Sequence, residues 1–273
     1  MLTFVTSITD KRGFYEIVGI FRKHLENIYG KEHKLVLNYV TERSEKDSIV
    51  TKVTKFCDVL NIYKPIPDID DGNYAKVLRF IKASELESEE TIVLMDVDIL
   101  MLNPNFFNEK YYSNIEDKIG TIGKNIYKGT KDEHKFPMSY AFGKSNSFKQ
   151  IVNPENKSIE ELIHDWNSHK LFYDGKEFIG NSHGKFSDES LFHLLLSKAG
   201  KEDNLIHFDR PDVNRPYGVS RRIDRVNWNY DIEKIKQNYY LDCVPMRPFG
   251  EKYNIMKEVF DLVINANSEE YRI

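Results

Sequence analysis

The chain has 273 residues, 40% of them apolar and 30% charged, enough for one large buried core and unlike a disordered or membrane-embedded class. A net charge of −4 argues against a general nucleic-acid binder, so any basic surface has to be local. Only Cys57 and Cys243 occur, far apart in sequence, and neither a disulfide framework nor a zinc site is indicated.

Residues 1–14 lack a charged stretch leading into a long apolar core, so no signal peptide is expected. No run approaches the length of a membrane span, and the expected location is cytoplasmic. Residues 2–9 are β-rich and read as a first strand. Phe14, Ile17, Val18, Phe21, Leu25 and Ile28 then recur at helical spacing, with Gly30 as the stop. Residues 35–40 read as a second strand, and Ile49, Val53, Phe56 and Leu60 mark a second helix. Strand, helix, strand, helix predicts a parallel α/β sheet with right-handed crossovers.

Residues 63–72, with Pro65, Pro67, Asp68, Asp70 and Asp71, read as a solvated loop lacking the glycine and distal Glu of a calcium loop. Asn73 is the expected N-cap of a helix that buries Tyr74, Val77, Leu78 and Ile81 and shows Lys76 and Arg79 on another face. Residues 91–104, TIVLMDVDILMLNP, carry the strongest signal. The apolar run at 92–95 suits a strand buried on both faces, and in an extended chain Asp96 and Asp98 share one side. Two carboxylates so close need a cation or donor groups, and hard oxygen ligands suit Mn²⁺ or Mg²⁺, which in turn suit phosphates. Taken alone, the D-x-D fits equally well a hydrogen-bonded strand-to-loop turn.

YAKVLRFIKASEL followed by ETIVLMDVDILMLNP resembles the nucleotide-sugar glycosyltransferases of the GT-A fold, family 8 being the nearest type, over roughly residues 1–210. The resemblance implies an α/β, GT-A-like (Rossmann-like), mixed but mostly parallel sheet flanked by helices; the expected division is this domain over residues 1–228 and, from the helix-like sequence beyond Trp228, a helical C-terminal appendage over 229–273 packed on the core. It implies Mn²⁺ or Mg²⁺ on Asp98, with Asp96 also reaching the ribose and a late His completing the site. It places Arg79 near the donor diphosphate, and the loop after the first strand beside the base and ribose, where Thr6 and Ser7 are candidates.

Residues 118–124 and 137–143 read as strands of the second half of the sheet, and the resemblance puts Ser139 and Tyr140 on the acceptor side. Ser158 with Glu161 forms a capping box for a helix burying Leu162, Ile163 and Trp166. The irregular run 174–185 is a candidate lid. FSDESLFHLLLSKAG reads as a helix capped by Ser187 or Asp188. The helix dipole alone favours Asp188 and Glu189 there, while the resemblance makes them catalytic candidates facing the reacting sugar. Residues 205–208 form a short strand delivering His207, the implied third metal ligand.

Arg210, Arg215, Arg221, Arg222 and Arg225 crowd the next segment, and Arg suits bidentate contacts with phosphate oxygens. Arg215, Arg221 and Arg222 are accordingly donor-binding candidates, although family 8 enzymes carry a shorter element at this place. Beyond Trp228, the stripe Ile255, Met256, Val259, Phe260 and Val263 predicts a helix packing on the core or forming a homodimer contact.

The expected activity is metal-dependent transfer of a sugar from a nucleoside-diphosphate donor, UDP favoured, to a hydroxyl of a glycan or other acceptor, with retention by analogy. Three rivals differ in identifiable features. A haloacid-dehalogenase-like phosphatase would use the Asp96/Asp98 pair, but Ile99-Leu100 stands where that family carries Gly-Thr. A sugar nucleotidyltransferase needs a Gly-rich basic loop that SITDKRGFYE lacks. A non-catalytic sugar-binding relative would keep the fold without metal dependence.

Overall fold

The computed structural model describes residues 1–86, 89–168, 170–173, 176–179 and 188–273. β1 (Leu2–Thr9) leads through a 3-10 turn at Lys11–Ile17 into α1 (Val18–Tyr29), which ends at Gly30 with φ 74°. β2 (Lys34–Val40) and α2 (Ser48–Thr54) follow. The helix expected to continue through Leu60 stops at Thr54. Asp58 accepts a hydrogen bond from the Leu35 N–H at 2.7 Å, and the chain then runs alongside β2 as β3 (Val59–Tyr63), a strand that the helical spacing of Leu60 had concealed.

α3 (Asp71–Glu85) begins ahead of Asn73, because the Asp70 side chain accepts from the Asn73 N–H at 3.0 Å and is the cap. β4 (Thr91–Leu94), β5 (Leu100–Met101), the short α4 (Glu109–Tyr112), β6 (Ile119–Ile122) and β7 (Ala141–Gly143) complete the middle of the chain. α5 (Ser145–Val152) precedes α6 (Ile159–Ser168), whose capping box closes reciprocally: Ser158 N–H donates to Glu161 at 2.8 Å and Glu161 N–H to Ser158 Oγ at 3.2 Å.

β8 (Lys170–Tyr173) and β9 (Lys176–Ile179) form a hairpin. β9 thus occupies part of the run 174–185 expected to be irregular; its other positions, and Ser187, lie outside the described residues. α7 (Asp188–Ala199) and β10 (Leu205–Phe208) end the main sheet. The arginine-rich segment folds as β11 (Val213–Arg215), β12 (Gly218–Val219) and β13 (Arg222–Ile223), and the chain closes with α8 (Ile232–Lys236), β14 (Asp242–Cys243) and α9 (Phe249–Ile264).

The seven-stranded sheet has the order β10-β6-β7-β4-β1-β2-β3, with β7 antiparallel to both neighbours and every other pair parallel. This is the mixed, mostly parallel α/β sheet flanked by helices that was expected from the sequence. Alternation along the strands sends Phe4, Ile8, Leu37 and Val93 into one core, and Val5, Val36, Ile92 and Leu94 into another on the opposite face. α3, α5 and α7 cover the second face, with Phe80 stacked on Phe192 at 5.5 Å. α1 and α9 cover the first.

Residues 229–273 belong to that first core rather than to a core of their own. Met256, Val259 and Phe260 are fully buried beside Phe21 and Ile17, and β14 pairs with β5 just beyond the D-x-D turn. The strand order also creates a switch point. From β1 the chain moves one way to β2 and β3, then returns to lay β4 on β1's other side, leaving a crevice outside the carboxyl ends of β1 and β4. No helix among the described residues is long and apolar enough to cross a membrane.

A shared core predicts one cooperative unfolding transition. Phe260→Ala should lower the stability of the whole chain by about 3–5 kcal/mol, read as a single shifted midpoint in denaturant. A separate early transition for the C-terminal segment would contradict this.

Candidate functional site

The carboxyl edge of the sheet collects the chemistry-bearing side chains. β4 ends at Leu94, and residues 96–99 form a turn in which Ile99 N–H donates to the Asp96 carbonyl at 3.1 Å. The D-x-D is therefore a turn rather than an extended pair on one face. Different guanidinium groups meet its two carboxylates.

Arg79, almost fully buried on α3, donates to Asp96 at 2.5 Å and also to Asp188 at the start of α7. Ser139, just ahead of β7, donates to the other Asp96 oxygen at 3.3 Å. Asp98 is buried, accepts from Arg247, and has Arg225 Nη1 at 3.7 Å. Burial draws the Arg225 pKa down; Asp98 opposes this, while the like charge of Arg247 adds to it. Arg247 itself lies over the Phe14 ring at 4.5 Å.

Glu189 follows Asp188 but lies in different surroundings. The Tyr127 hydroxyl contacts both its oxygens, at 2.9 and 3.0 Å. Burial first, and then the neighbouring Asp188 charge, raises its pKa to about 7, against the lowering effect of the tyrosine bond. A cavity of about 570 Å³ opens here, bounded by Tyr127, Ser139, Glu189, Arg215, Tyr217 and Arg222. Its lining comes from the turns after β6 and β10, the segment before β7 and the β11–β12 hairpin, so it lies at the same edge as the D-x-D turn.

The other sequence candidates are placed as follows. β1 continues to Thr9, so Thr6 and Ser7 are within the strand rather than in the loop after it: Thr6 is fully buried, and Ser7 Oγ accepts from Asn38 at 3.2 Å. His207 is separated from β4 by β6 and β7, three strand spacings or about 14 Å away. It is bonded to Thr121 at 3.0 Å and stacked on Phe136, and burial and Lys124 lower its pKa. Of the arginines, Arg222 forms a fork on Asp242 with both bonds at 2.8 Å, alongside Arg210, which also holds Asp212. Arg221 supplies backbone bonds, its N–H to Asp212 and its carbonyl to Leu241. Arg215 is exposed on the hairpin and faces the cavity.

These residues make a poor divalent-cation site. Among the described residues, no three or more His, Cys, Asp and Glu side chains gather so as to hold a metal, and each D-x-D carboxylate already has an arginine. Arg247, which the sequence reading did not single out, is the key partner of Asp98, 149 positions away in the chain.

No family model matches the chain, and no curated protein matches it. Among solved structures, it is similar to the galactosyltransferase LgtC crystallised with donor and acceptor sugar analogues, at 9% identity and a TM-score of 0.47, over 96% of this chain and 95% of that one. An active-site mutant of LgtC is similar at 10% identity and a TM-score of 0.45, over 89% of this chain and 86% of that one.

Replacing Arg79 with Met should leave Asp188 buried without a counter-charge, at a cost on the order of 3–5 kcal/mol. Adding Asp188→Asn should recover part of it, as read by denaturant midpoints, and a single-variant loss under about 1 kcal/mol would contradict the pairing. For Glu189 the native pKa of about 7 exceeds the ordinary 4.5, so the folded chain holds more protons between those values. Its contribution to stability is complete below 4.5 and is lost as pH rises through 7. Glu189→Gln should flatten that decline in thermal unfolding, and an unchanged slope would contradict the burial.

Proposed function

We propose that the chain transfers a sugar from a nucleoside-diphosphate donor, with UDP the favoured nucleotide, to a hydroxyl of a glycan or similar acceptor. The observation that carries this reading is the adjacency of two features at one sheet edge. A charged D-x-D turn stands at the β1/β4 switch point, where open α/β sheets bind nucleotides, and an aromatic-edged cavity of mixed polar and apolar lining and sugar-accommodating size lies beside it. The sequence resemblance to GT-A transferases agrees with it.

On this reading the bond between the anomeric carbon and the diphosphate oxygen breaks with its electron pair going to that oxygen. The acceptor hydroxyl oxygen forms the new bond to the anomeric carbon, and its proton passes to the Glu189 carboxylate. A carboxylate with a pKa of about 7 is well matched to that task near neutral pH. Asp188 is tied to Arg79 and acts by positioning. Tyr127 holds the Glu189 carboxylate towards the cavity, and Tyr217 beside it offers a ring on which a sugar face can rest.

The phosphatase reading fits the geometry less well. Its nucleophilic aspartate must be free to attack phosphorus, whereas Asp96 and Asp98 are both held by arginines.

The test is nucleotide release from a panel of UDP-sugars and other nucleotide-sugars with oligosaccharide acceptors. Acceptor-stimulated release that falls by ~100-fold in Glu189→Gln is the expected result. Absence of release from every donor, together with phosphate release from phosphomonoesters, would overturn the reading in favour of a phosphatase.

A further inference from the structure

A divalent cation is the usual way to neutralise a diphosphate beside two aspartates, and the arrangement around Asp98 opposes it. Mg²⁺-like ions take carboxylate oxygens at about 2.1 Å. One Asp98 oxygen is already bonded by Arg247, with Arg225 Nη1 3.7 Å from the same atom. Arginine cannot surrender its proton to make room, so an ion placed there would face two fixed positive charges.

Around Asp98 itself one buried carboxylate faces two guanidiniums, so the pair with Arg247 leaves Arg225 only loosely held, while Asp96 and Asp188 share Arg79 beside it. Arg225 keeps 37% of its side chain exposed, so its remaining N–H groups are open to a ligand, while the Arg247 side chain is 18% exposed and anchored against Phe14. The fold explains why both arginines arrive here. β14 pairs antiparallel with β5 and parallel with β13, which stitches the segments before Arg247 and after Arg222 to the strand that follows the D-x-D turn.

We infer that Arg225 and Arg247, held on Asp98, bind the diphosphate of the nucleotide donor in the place a divalent cation would take. The inference rests on the donor reading above and refines it: the donor is a nucleoside diphosphate recognised by guanidinium forks, and its binding needs no metal. Charge developing on the leaving phosphate oxygen is met by fixed donors that need no reorganisation.

The experiment is calorimetric titration of the full chain with UDP in chelator and again with Mn²⁺, repeated on Arg225→Gln and Arg247→Lys. Arg225 is partly exposed, so its variant should fold, and Arg247→Lys keeps a charge on Asp98 while losing the fork; thermal unfolding checks both. The expected result is equal UDP affinity with chelator and with Mn²⁺, weakened roughly tenfold or more in folded Arg225→Gln and also reduced in Arg247→Lys. UDP binding that appears only with Mn²⁺ would overturn the arginine role and leave the donor reading standing. Metal-independent binding that neither variant weakens would overturn it too. If UDP, GDP and CMP all fail to bind with and without metal, the donor reading itself falls and the inference with it.

Discussion

A carboxylate taken out of water at the end of a buried strand needs a counter-charge, and that need organises much of this molecule. β4 is covered on both faces, and the turn after it carries Asp98 into the interior. Arg79 reaches Asp96 from the helix on one face, and Arg225 and Arg247 reach Asp98 from a C-terminal segment that must therefore wrap back to the sheet edge. The route of that segment, with β14 against β5 and α9 against α1, delivers this charge and completes one core at the same time.

The same pairing logic divides the arginine-rich stretch into two sets. Arg210 and Arg222 converge on fully buried Asp242, which also accepts from Tyr140, and the two guanidiniums hold that carboxyl well below the usual carboxylate range despite burial. These two brace the β13–β14 strands in the wall of the cavity. Arg225 stands 3.7 Å from Asp98 with 37% of its side chain exposed, and Arg215 faces the cavity from the hairpin, so these are the members placed to meet an anionic ligand. Charge density along the chain marked the segment; pairing across it separates support from recognition.

Legibility in the sequence followed the range of the forces involved. β1, β2, β4 and β10 come from short apolar runs, and the Ser158–Glu161 box is a local exchange of two hydrogen bonds, so both kinds of element were readable. β3 was hidden because Leu60 also fits the helical spacing from Ile49, and the Asp58 contact to Leu35 that ends the ambiguity is non-local. Asp96 and Asp98 stood out by residue type and pattern, whereas Arg79 and Glu189 were candidates only through the resemblance. Their partners were not legible: Arg247 is remote in sequence from Asp98, and the distance from His207 to the D-x-D turn depends on a strand order that no local signal encodes.

The central claim is that a nucleoside diphosphate lies outside the carboxyl ends of β1 and β4 with its phosphates on arginine. A crystal structure of the chain grown with UDP in the presence of chelator tests it most directly. The account predicts diphosphate oxygens within hydrogen-bond distance of Arg225 and Arg247, with the uridine running along the crevice towards the turn after β1. A diphosphate bound elsewhere on the molecule would contradict it.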